Sequence, residues 1–126
     1  MSHTAVFSLC HNWRCLTDDQ IKALASLGGV MGIVVLPGFI DDNPAKATID
    51  RVVDHILYVT DLVGIDTVGF GSDYDGFSDP PIVPDVSQLV LLTRAMLARG
   101  LTEEEIRKFW GGNFLRVLRQ IIDKPK

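Results

Sequence analysis

A chain of 126 residues, 47 % apolar and 22 % charged, has room for one domain with a modest core and the composition of an ordinary globular protein. Its formal net charge of −4, with no cluster of Lys or Arg, speaks against nucleic acid, and its longest apolar run, Gly28 to Leu36, is far short of the roughly 20 residues that span a bilayer. Cys10 and Cys15 make no disulfide framework, so a reducing, cytoplasmic setting is expected, with no leader legible at the start and no anchor tail at the Asp-Lys-Pro-Lys end.

No repeat or linker divides the chain, which reads as a single segment over 1–126. Residues 1–16 are polar and predict a loop. Thr17-Asp-Asp-Gln20 has the form of a capping box, and Ile21, Leu24, Ala25 and Leu27 follow at helical spacing up to Gly28-Gly29. Val30 to Leu36 is continuously apolar and rich in β-branched residues, which predicts a strand buried on both faces. Pro37 to Lys46 predicts a loop. A second helix is expected from about Thr48 to Val63, stopped by Gly64, and a second short strand over Thr67 to Gly71. A polar loop rich in Asp, Gly and Pro occupies Ser72 to Val86. Three helical stretches close the chain: one capped by Asp85 and ending at Gly100, one opened by the capping box Thr102 to Glu105 and ending at Gly111-Gly112, and one capped by Asn113. Strand and helix in alternation imply a parallel sheet in an α/β fold. Two strands leave open edges, so the pattern reads as a piece of a larger assembly.

In such folds reactive groups lie where strands run into loops. Two places qualify, Ser2-His3-Thr4 and the segment from Gly69 to Gly76. The motif Asp73-Tyr-Asp75-Gly76 fails as a calcium loop, since Ser78 stands at the sixth position and Pro84 at the twelfth. A phosphotransfer nucleophile of the haloacid-dehalogenase type expects Thr where this chain has Phe77. Asp and Gly chosen only for turn geometry is the plain alternative, as a solvated loop residue is for His3 and a surface cation for Arg14. Cys10, Cys15, His3 and His11 match no structural zinc spacing, and Trp13 and Trp110 read as packing residues.

The segments taken together resemble a known family. Ser2-His3-Thr4, Arg14 and Leu16 to Ile21 are similar to its Ser-His-Ser/Thr motif followed by Arg-Asn-Leu-x-Asp. Gly28 to Gly32 is similar to its next strand entry, and Val63 to Gly76 to the approach to its Gly-Ser-Asp-Phe-Asp-Gly signature. Glu104 to Leu118 resembles its closing helices. The family is that of the renal (membrane) dipeptidases, zinc metallopeptidases of the M19 type.

The resemblance implies a (β/α)8 TIM barrel, of which this chain would be the C-terminal portion, from the end of strand six through strand eight and the closing helices. It implies two zinc ions that activate a water for attack on a dipeptide. By position, His3 would be a metal ligand, Arg14 would bind the substrate carboxylate, and Asp73 would act catalytically, holding the substrate amine and passing a proton to the leaving group. The family's other metal ligands fall on strands this sequence does not contain. Cys15 stands where the family usually has Asn, and Pro37 to Asn43 lacks a Tyr found near the substrate in some relatives. A barrel needs ~200–250 residues, and zinc wants about four ligands, so an isolated chain is not expected to be a competent enzyme. The alternatives are a split enzyme completed by a chain supplying the missing strands, or a non-catalytic binding or oligomerising fragment. Its open edges predict self-association or a partner.

Overall fold

The structure, a computed structural model, describes residues 1–123. The final tail, where no lipid anchor is expected, lies outside the described residues. In chain order the elements are α1 (Asp18–Ser26), β1 (Met31–Ile33), α2 (Pro37–Ile40), α3 (Ile49–Val63), β2 (Val68–Phe70), α4 (Leu89–Ala98), α5 (Glu103–Arg107) and α6 (Asn113–Ile122).

Local chemistry places most helix ends. Thr17 accepts the Gln20 N–H while the Gln20 side chain accepts the Thr17 N–H, and Thr102 with Glu105 repeats this reciprocal pairing at the start of α5. The Thr48 hydroxyl accepts the Arg51 N–H and opens α3. α1 closes with Gly28 N–H donating to Ala25 C=O and Gly29 N–H to Leu24 C=O, at 2.9 and 3.0 Å, the Schellman pattern.

β1 and β2 pair in parallel, with Met31 opposite Val68 and Ile33 opposite Phe70. The chain start pairs with the other edge of β1. Gly32 N–H donates to Met1 C=O, Thr4 N–H to Gly32 C=O and Val34 N–H to Thr4 C=O, with Thr4 and Ile33 forming a parallel bridge. Met1 thus sits opposite Met31 and Thr4 opposite Ile33, so one extra residue is accommodated at Ser2-His3, as in a β-bulge. Three parallel segments result, with β1 in the middle. The inner face of α3, with Val52, Val53, Ile56 and Val59 fully buried, packs on this sheet and on Leu92 and Met96 of α4.

Several expectations change. Residues 1–16 are more than a loop, because their start joins the sheet. The strand expected over Val30 to Leu36 keeps ladder pairing only at Met31–Ile33; Val34 and Val35 stay buried, but the Val35 C=O accepts the Ile82 N–H of the long loop. The expected loop after it contains α2, where Pro37 needs no N–H at the first helical position and Phe39 and Ile40 are buried. Asn113 does not cap a helix. Its backbone is helical, the chain kinks just before it at Gly111, where φ is 169° and ψ −19°, and its side-chain amide donates to Ile65 C=O (2.7 Å) and Val68 C=O (2.8 Å). Trp13 is 87 % exposed and packs nothing, whereas Trp110 stacks edge-on to Phe70 and Phe109. Leu115, Leu118, Ile121 and Ile122 leave an apolar face of α6 in solvent. Among the described residues no helix is long and apolar enough to cross a membrane.

Candidate active site

The three parallel segments deliver their C-terminal ends to one place. His3 comes from the bulge in the first, and Asp73 lies three residues beyond the end of β2, at the start of a turn. Their spacing is set by backbone contact. A Cβ on Gly32 or on Gly71 would collide with the Ser2 carbonyl oxygen, so both positions must lack a side chain. The Asp73 to Gly76 turn, closed by Gly76 N–H to Asp73 C=O at 3.0 Å, holds Asp73 and Asp75 at φ 60° and 65°. Asp tolerates this left-handed backbone better than most residues. A Cβ at Gly76 would displace the Asp73 carboxylate from its present position.

The structure brings together all three residues singled out in the sequence. His3 Nε2 is 3.3 Å from Arg14 Nη2 and 4.0 Å from Asp73 Oδ2, with the His3 and Asp73 side chains 34 % and 27 % exposed. Arg14 has only donors, so Nε2 is assigned as an acceptor and Nδ1–H as the donor to Ser2 Oγ, 2.9 Å away. The guanidinium and the carboxylate therefore both approach His3 Nε2. Such a set can take an anionic group at Arg14, exchange a proton at Asp73 and offer one imidazole ligand at His3.

Arg14 stands on a loop that closes when Leu16 pairs with Val6. Its N–H donates to Asn12 Oδ1 (3.0 Å) and its C=O accepts the Thr4 hydroxyl (2.9 Å). The guanidinium carbon lies 5.4 Å from the centroid of the Phe39 ring. Phe39 is a residue that sequence reasoning missed, because it lay in a segment taken for a loop. The signal was Pro37 followed by the apolar pair Phe39-Ile40, the start of a short buried helix.

The residues present do not by themselves fit a zinc site. Among the described residues no three His, Cys, Asp or Glu side chains are grouped to hold a metal ion, and His3 supplies the one imidazole of the cluster. Cys10 and Cys15 are free and buried; burial pushes the Cys15 thiol up to about 12 and raises Cys10 as well, which makes them inert core groups. His11 instead meets Asp42, with its N–H and ring Nδ1 2.6 and 2.8 Å from the two carboxylate oxygens, and these bonds hold Asp42 below the usual carboxylate range. A cleft of about 460 Å³ between Pro37, Gly38, Pro44, Asp79 and Pro80 does not include the three clustered residues, which stand on an open face.

The third histidine, unnoticed in the sequence, is His55 on α3. It is fully buried, accepts the Val6 N–H on Nδ1 (3.0 Å) and donates from Nε2 to Ile40 C=O (2.9 Å). Burial above all lowers its pKa to about 4. It is a structural tie.

Comparison with known proteins places the chain in a family. The chain is 37 % identical to the dipeptidase tcpJ of Claviceps purpurea and 40 % identical to the dipeptidase ataJ of Aspergillus terreus, in each case over 97 % of its own length. It spans only 29 % and 30 % of those relatives. Among solved structures it superposes with a TM-score of 0.83 on a metallopeptidase from Rhodobacter sphaeroides liganded with a phosphinate mimic of the dipeptide L-Ala-D-Ala, at 29 % identity. That match covers 93 % of this chain and 34 % of the other. An amidohydrolase from Pseudomonas aeruginosa gives a TM-score of 0.84 at 26 % identity, covering 97 % of this chain and 45 % of its own. A profile of the membrane dipeptidases matches residues 1–125, and the chain belongs to that family, peptidase family M19.

Proposed function

We propose that this chain is the C-terminal part of a (β/α)8-barrel dipeptidase, from the end of strand six through strand eight and the closing helices, and that alone it does not hydrolyse dipeptides. The convergence of His3, from the bulge in the first segment, Arg14, from the loop that follows it, and Asp73, three residues beyond β2, carries this reading. In it, Arg14 pairs with the carboxylate of a dipeptide, its planar fork suited to two oxygens. Asp73 holds the substrate amine and carries a proton to the leaving group. His3 offers one ligand to a zinc site whose remaining ligands lie outside this chain. The free thiols favour a reducing, cytoplasmic compartment.

Association, with a chain that supplies further strands or with its own copies, is favoured by the bare face of α6 and by the outer edge of β2, which pairs with no strand among the described residues.

The test has two arms. The purified chain is assayed with L-Ala-L-Ala and zinc, and no hydrolysis is expected; activity that disappears in His3→Ala would show that the chain assembles a complete site. A chimera carrying this chain in place of the matched third of the Rhodobacter metallopeptidase is expected to cleave the same dipeptide and to lose that activity in Asp73→Asn. A folded but inactive chimera would remove the dipeptidase reading.

A further inference from the structure

We propose that Phe39 is a positioning residue whose ring is the platform that fixes the Arg14 guanidinium for a carboxylate. The inference rests on the reading of Arg14 as carboxylate anchor and adds how that anchor is held. An exposed arginine on a loop samples many rotamers, and a ligand that binds it must suppress them. Here the backbone of Arg14 is already pinned on both sides, its N–H by Asn12 and its C=O by Thr4. The loop that carries it is fastened to α2 by three contacts. The Asn12 amide and the Cys10 thiol donate to Gly38 C=O at 2.9 and 3.5 Å, and the Cys15 thiol donates to Phe39 C=O at 3.6 Å.

The Arg14 side chain has two neighbours: Nη2 faces His3 Nε2 at 3.3 Å, and the guanidinium meets the Phe39 ring. The ring is 6 % exposed and immobilised in the core, and the guanidinium lies over it at 5.4 Å. A cation over an aromatic face is attracted by the ring quadrupole. The attraction of the ring uses none of the guanidinium N–H donors; Nη2 faces His3 Nε2, and the others are left for a two-oxygen acceptor. Trp13, although adjacent in sequence, points to solvent and gives no such support. The same loop-to-α2 contacts explain how Cys15 is accommodated: its thiol is a buried donor to a carbonyl, not a reactive group.

The experiment follows the Arg14 side-chain Nε–H signal of the full chain by NMR, identified by its loss in Arg14→Lys, during titration with N-acetylalanine. In the wild-type chain the Arg14 side-chain protons are expected upfield from the ring current, and the ligand is expected to move the signal. Phe39→Leu is expected to abolish the upfield shift and weaken affinity about 3- to 10-fold, while Phe39→Tyr keeps both. Undiminished affinity in Phe39→Leu would overturn the platform and leave the anchor standing. No Arg14-dependent binding in the wild type would overturn both. If Phe39→Leu fails to fold, the wild-type shift decides: upfield Arg14 protons support the platform, and Arg14 protons at ordinary positions overturn it.

Discussion

His3 and His55 place the same side chain in opposite settings. His55 has no exposed surface, and both ring nitrogens are used on backbone partners, Val6 and Ile40. His3 is a third exposed and turns a lone pair toward an arginine and a carboxylate from two other segments. A histidine whose bonding capacity is consumed by the main chain builds the fold; one whose lone pair faces a gap between loops is free for chemistry. Stability should therefore depend on the first and be almost blind to the second.

The largest break in that contrast is His55→Ala. It removes a packed ring and leaves the Val6 N–H and Ile40 C=O without partners, a loss of about 3–5 kcal/mol in denaturant unfolding. Acid should act on the same group. The folded pKa, about 4, lies below the ordinary 6.5, so the contribution is complete above pH 6.5. As pH falls the unfolded chain takes up a proton that the folded chain refuses, and on the order of 3 kcal/mol is lost by pH 4. Unfolding curves at pH 7 and pH 4.5 for the wild type and His55→Gln measure this; an equal pH slope in both would assign the acid sensitivity elsewhere. Asn113→Ala should cost about 2 kcal/mol, because two carbonyls at the entry to β2 lose their donor. At the small end, His3→Ala and Asp73→Gly should each change stability by less than about 0.5 kcal/mol. For Asp73→Gly the left-handed backbone is also relieved. A thermal-shift series that put His3→Ala level with His55→Ala would dissolve the comparison.

What could be read beforehand divides along the same line. Thr17 with Gln20 and Thr102 with Glu105 are contacts within a few residues, and both stand where the sequence indicated. The α/β alternation followed from the apolar periods of the same segments. The Asn113 tie to β2, the Val35–Ile82 bond and the burial of His55 each join residues far apart in the chain, and no local pattern announces them. The cluster itself was legible only in part. His3, Arg14 and Asp73 are scattered along the sequence, and each taken singly had an equally plain reading as a loop residue; resemblance to a family pattern joined them. Phe39 was hidden by the assumption that a Pro-Gly pair continues as loop.

The contact of Gly32 and Gly71 with the Ser2 carbonyl has a consequence for mutational tolerance. No side chain acts as spacer between these segments, so the separation of His3 from Asp73 is a property of the main chain and does not drift when neighbouring rotamers change. In a saturation library scored for folding, positions 32 and 71 should reject even alanine, while His3 accepts many residues and loses only its chemistry. Two silent glycines would then mark the site in a fitness map more sharply than the residues that define it.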